Sequence, residues 1–93
     1  MAINTKDTEY LRVFGQNLKK LRLEKNFTVE RLAISANISY SQISRIESAQ
    51  INPTICTVAV IAKALKVPPS DLFDFEYEGT YQNMIKNSLK NIK

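Results

Sequence analysis

Between Thr28 and Glu47 the chain reads TVERLAISANISYSQISRIE, two short helical patterns separated by a three-residue break at Asn37-Ile38-Ser39. Few arrangements satisfy such a pattern. Leu32, Ala33, Ala36, Ile38, Ile43 and Ile46 fall where two crossing helices need to bury a shared seam. On the second helix Tyr40, Ser41, Gln42, Ser44 and Arg45 stand between the seam residues, polar or amphipathic, and face outward. One set of residues specifies packing, and a different set is left for a partner.

Local signals define where these helices begin. Thr28 is an N-cap residue, with Phe27 and Leu32 placed as a hydrophobic staple. Ser39 caps the next helix, Gln42 completes a capping-box pattern, and Ile38 with Ile43 makes a second staple. Upstream, Leu11, Phe14, Leu18 and Leu21 predict a helix through about Lys25, with Lys19, Lys20 and Lys25 off its apolar stripe. Asn26 suits a left-handed stop. Downstream, Thr54 caps a fourth helix whose Val58, Ile61, Ala62 and Leu65 face the core. Pro68-Pro69 ends it, and Pro69 opens a short fifth helix containing Leu72 and Phe73. After Gly79, the spacing of Tyr81, Met84, Ile85, Leu89 and Ile92 predicts an amphipathic sixth helix. Only two glycines and no alternating runs argue against a sheet. The expected fold is all-α.

Ninety-three residues suit one domain, burying roughly 60–65% of the surface the unfolded chain exposes. One cysteine excludes an internal disulfide and fits a reducing compartment. No apolar run approaches a membrane span and the polar start is unlike a signal peptide, so a cytoplasmic location and no membrane partner are expected. The net charge is +4, unevenly spread. Residues 1–27 carry +3, residues 28–52 are neutral, residues 53–79 carry −2 and residues 80–93 carry +3. A polyanion would therefore have to be held by helix N-termini, backbone amides and basic residues outside 28–52.

Two crossing helices joined by a tight turn are the layout that presents one short helix to the major groove of DNA. Three runs extend the likeness: GQNLKKLRLEKNFTVERLA, ISYSQISRIE and NPTICTVAVIAKALKVPPSDLF. On these runs the stretch from Phe14 to Phe73, about 60 of the 93 residues, resembles the Cro/CI-type (XRE) helix-turn-helix family of phage and bacterial transcriptional regulators. The resemblance implies a five-helix lambda-repressor-like DNA-binding domain, here with an additional C-terminal helix. It divides the chain into a flexible arm at 1–9, the DNA-binding domain at 10–75, and a linker with the amphipathic helix at 76–93.

The resemblance also implies roles. Ser39, Tyr40, Ser41, Ser44 and Arg45 fall where relatives place base-reading or groove-facing side chains. Arg45 can donate two parallel hydrogen bonds to guanine, worth about 1–3 kcal/mol of discrimination. Lys19, Thr28, Gln42 and Thr54 are the phosphate candidates, three of them close to helix N-termini. Arg22 and Glu47 match a family ion pair that holds the reading helix against the first helix. Two departures stand out. Val29 replaces a common glutamine that grips phosphate, and Ala49 replaces a common glycine, suggesting a different exit from the third helix. Asn37 stands where the turn often has glycine, and asparagine tolerates the left-handed conformation.

With no histidine and one thiol, Cys56, the chain lacks the residues for zinc sites and for serine–histidine or cysteine–histidine nucleophiles. No glycine-rich phosphate loop is present either. No cofactor, metal, small-molecule ligand or catalytic activity is expected. The expected function is a sequence-specific, stand-alone regulator bound to double-stranded DNA as a homodimer on a palindromic or near-palindromic operator. Small members of the family with this role include restriction–modification controller proteins and phage repressors. Tyr81, Met84, Ile85, Leu89 and Ile92 are its dimer candidates. The alternative is a protein-interaction module that keeps the fold without reading DNA, favoured by the neutral 28–52 segment and by Val29.

Overall fold

The computed structural model describes residues 7–77. These form α1 (Thr8–Glu24), α2 (Val29–Ala36), α3 (Tyr40–Glu47), α4 (Ile55–Leu65) and α5 (Pro69–Leu72), with no strand among the described residues. The segment proposed as a sixth helix, with Tyr81, Met84, Ile85, Leu89 and Ile92, lies outside them.

Each of the first four helices starts on a side-chain cap. Asp7 Oδ1 accepts from the Tyr10 amide at 2.9 Å, Thr28 Oγ1 from Arg31 at 3.0 Å, Ser39 Oγ from Gln42 at 3.0 Å, and Thr54 Oγ1 from Thr57 at 3.1 Å. Each cap satisfies one amide that the helix leaves without a partner. The Asp7 cap moves the start of α1 to Thr8, so Thr8 and Glu9 are helical rather than part of an arm ending at residue 9.

The same four helices stop in one way. Asn26, Asn37, Ala49 and Lys66 take φ of 61°, 57°, 63° and 60°, the left-handed region. The following amide then reaches back over the last turn: Phe27 to the Arg22 carbonyl, Ile38 to Ala33, Gln50 to Arg45 and Val67 to Ala62. This is the Schellman arrangement, usually built on glycine. Two of the four stops are the asparagines. Ala49, where the resemblance places a glycine, takes the left-handed conformation that glycine adopts most readily. Lys66, rather than Pro68, ends α4, and Pro68 precedes α5 as its N-terminal flank.

The seam closes into one core. Leu18, Leu32, Ile43, Ile46, Ile61, Leu65 and Leu72 are each less than 2% exposed, and each full burial contributes about 1.5–3 kcal/mol. Phe27 and Ile38, the outer halves of the two staples, pack against that cluster, and so does Val29. Helix α1 packs on α3 and α5, α2 on α3 and α4, and α4 on α5. The short α3 is therefore held from behind by α1 and from the side by α2, with its remaining face open.

Candidate nucleic-acid interface

Helix α3 has two chemically distinct sides. Ile43 and Ile46 are 0% and 1% exposed, whereas Ser39, Tyr40, Ser41, Ser44 and Arg45 all lie at the surface. Ser41, Ser44, Arg45 and Ser48 fall at i, i+3, i+4 and i+7 and share one stripe. Tyr40, in the first turn, is 59% exposed beside them. Eight residues make α3 about 12 Å long, and a helix about 10–12 Å across with its side chains fits a groove of about 12 Å width. Among the described residues the ion pairs are Arg12–Glu9 and Arg22–Glu47, so the Arg45 guanidinium is not committed to a described carboxylate.

What fixes the angle of α3 is its last turn. Arg22 Nε and Nη2 donate to the two Glu47 carboxylate oxygens at 2.6 and 3.0 Å, and Nη1 donates to the Phe27 carbonyl at 2.8 Å. The side chains of the pair are 8% and 9% exposed. One guanidinium thus ties the end of α3 to α1 and to the loop that opens α2. The hydrogen bond to Glu47, reinforced by its charge, holds Arg22 more firmly in its protonated form and outweighs the opposing effect of burial.

Gly15 makes that closeness possible. A Cβ built there would lie 2.5 Å from the Ile46 carbonyl oxygen and 2.6 Å from that of Glu47. Both are backbone atoms, so neither can swing aside. Asn17 docks the opposite flank of α1, donating from Nδ2 to the carbonyls of Asp71 and Leu72 at 2.9 Å each. Neither residue stands out from periodicity alone. Glycine within a helix does carry a signal, since it costs about 1 kcal/mol relative to alanine and is used where backbones approach closely.

The phosphate candidates divide into two groups. Thr28, Gln42 and Thr54 stand at the N-terminal turns of α2, α3 and α4. Both threonine oxygens accept from backbone amides there, and Thr54 Oγ1 also lies 2.9 Å from Thr57 Oγ1. Lys19 is exposed within α1, one turn after Gly15, rather than at a capped N-terminus. Val29 turns its side chain to the core and adds no donor. Cys56 is exposed on α4. No cluster of three or more His, Cys, Asp or Glu side chains able to hold a metal occurs among the described residues. No helix there is long and apolar enough to cross a membrane.

A family model described as Helix-turn-helix matches residues 18–72, the span from the middle of α1 to the end of α5. The chain belongs to the helix-turn-helix family of transcriptional regulators. It is 39% identical over 64 residues to the control protein C.BamHI of Bacillus amyloliquefaciens, covering 68% of this chain and 79% of that one. It is 41% identical over 56 residues to the transcriptional repressor RghR of Bacillus subtilis, covering 59% of this chain and 42% of that protein. Its fold matches the crystal structure of the restriction-modification controller protein C.AhdI from Aeromonas hydrophila with a TM-score of 0.67 at 33% identity, over 68% of this chain and 96% of that one. This chain is thus a DNA-binding transcriptional regulator, similar in sequence and fold to controller proteins and to a repressor.

Proposed function

We propose that this helix-turn-helix regulator binds a palindromic or near-palindromic operator as a homodimer, laying α3 of each subunit in successive major grooves about 34 Å apart. The observation that carries this reading is the division of α3 into a buried face and a face of hydroxyls with one guanidinium, clamped at Glu47. Interaction surfaces concentrate aromatic and apolar side chains, and on the exposed face of α3 Tyr40 alone is of that kind. Ser39, Tyr40, Ser41, Ser44 and Arg45 read base edges. Thr28, Gln42, Thr54 and Lys19 meet phosphates, helped by the open amides of three helix N-termini. The neutral charge of residues 28–52 leaves a single subunit weakly attracted to DNA, and pairing two half-sites supplies the missing affinity. The dimer contacts are Tyr81, Met84, Ile85, Leu89 and Ile92. The protein works in the cytoplasm, without catalysis or cofactor, as a controller or repressor of transcription.

Selection of bound duplexes from a random pool gives the operator, and Arg45→Ala tests the readout. The expected loss is about 1–3 kcal/mol of specific binding, with relaxed preference at one base pair per half-site. An equal loss on operator and random DNA would make Arg45 a phosphate contact and remove it from the reading set.

A further inference from the structure

On the flank formed by α1, α4 and α5, well apart in sequence from the reading helix, lies an open apolar groove of about 390 Å³. Tyr10 and Phe14 of α1, Ile55, Val58 and Ala59 of α4, and Phe73 just after α5 line it. Ile55 is 88% exposed and Phe73 is 45% exposed. Contiguous apolar surface of this kind on a small protein marks a place where something binds. We propose that residues 81–92 of one subunit seat in this groove on a second copy of the chain, an exchange of tails that rests on the dimer reading above.

The path of the chain points that way. After α5 the backbone lays a row of aromatic rings along α1: Phe73 on Phe14 at 5.1 Å between centroids, Phe75 on Tyr10 at 5.2 Å, and Tyr77 on Tyr10 at 4.9 Å. The Tyr77 hydroxyl reaches the Asp7 carboxylate. The row runs from the middle of α1 towards its N-terminus, so the described chain ends beside Tyr10, one of the residues lining the groove. The four steps from Tyr77 to Tyr81 reach at most about 14 Å. A two-fold pair whose axis lay near that end would bring each groove within reach of the other subunit's tail.

The chemistry of the two surfaces matches. Residues 80–93 combine the apolar stripe with Lys86, Lys90 and Lys93 and no acidic residue. On and after α5 the acceptor carries Asp71, Asp74 and Glu76 and no base between residues 68 and 77. Size agrees as well. A stable pair needs roughly 20–30 residues a side. The ten residues lining the groove fall short of that, and residues 81–92 bring the interface into the range.

The test is a disulfide between the two surfaces in the full chain, with Cys56→Ser removing the native thiol. One chain carries Ala59→Cys and another carries Leu89→Cys, and both substitutions are also placed together in a third. Ala59 is exposed, so the change leaves the fold intact. The expected results are a dimer by sedimentation before oxidation, a covalent dimer from the mixed single-cysteine chains, and its loss on reduction. A covalent monomer from the double variant would put the tail in its own groove and overturn the exchange. Absence of any disulfide, with a chain lacking residues 78–93 running as a monomer, would overturn the groove as the seat while leaving the dimer reading intact. A full chain that sediments as a monomer overturns both. As an independent readout, Ala59→Glu should weaken dimerisation at least tenfold with the melting of the helical domain unchanged, and a dimer indifferent to it would also overturn the proposal.

Discussion

Glu47→Ala removes one half of the buried clamp and leaves the outward stripe of α3 chemically untouched. Arg22 then loses two charge-assisted hydrogen bonds, at 2.6 and 3.0 Å, and keeps only the Phe27 carbonyl at 2.8 Å. Because its side chain is 8% exposed, water does not readily replace what is lost. Stranding one partner of a buried pair costs about 3–5 kcal/mol. In a domain of this size each kcal/mol moves the midpoint by about 4–8 °C, so the melting temperature should drop by at least about 12 °C. Thermal and urea unfolding followed by far-UV circular dichroism measure this directly. Protonation does not confuse the comparison. The Arg22 ionisation is raised from a value already far above neutral, so its contribution is complete at neutral pH and declines only in strong alkali. A second variant, Arg22→Met with Glu47→Leu, fills the site with apolar side chains and should recover most of the loss, since the pair's strength lies in its mutual compensation. If Glu47→Ala melts within about 0.5 kcal/mol of the parent, the size of an ordinary surface change, the reasoning fails: α3 would then be held by Ile43 and Ile46 alone.

Gly15→Ala should destabilise the domain by about 1–3 kcal/mol despite alanine's better helix propensity, because the new Cβ meets the Ile46 and Glu47 carbonyls; a gain in the urea midpoint would contradict the close approach. Ala49→Gly should stabilise by about 0.5–1 kcal/mol in the same assay, relieving a left-handed alanine at φ 63°, and an unchanged midpoint would mean that the strain is negligible. Burial beneath its neighbours raises the Tyr10 hydroxyl above its ordinary pKa of 10.0, so its neutral form is favoured in the folded state. Its share of stability is whole below about pH 10 and is lost as pH climbs through the raised value, and ultraviolet titration should find one tyrosine ionising late, which Tyr10→Phe removes.

Features that depend on residues three or four apart were legible before any coordinates. The caps Thr28, Ser39 and Thr54, the stops at Asn26 and Asn37 and the two-sided character of α3 all follow from donors, acceptors and apolar groups a turn apart along the chain. The outward set on α3 was legible for the same reason, because placing the apolar seam assigns everything else on that helix to the surface. Arg22 and Glu47 lie 25 residues apart, and periodicity could not join them; only resemblance suggested the pair. Asn17, bonded to carbonyls more than 50 residues away, and Gly15, defined by what a side chain would strike, carry no local pattern that names their partners. Ala49 reads in sequence as a change of exit. The structure shows what that exit is: Ala49 takes the left-handed state while the Gln50 amide donates to the Arg45 carbonyl. The groove between α1, α4 and α5 likewise exists only once three segments meet. Sequence determines what is local because the chain itself sets those distances. Where remote segments meet, and how closely, is decided by the packed core.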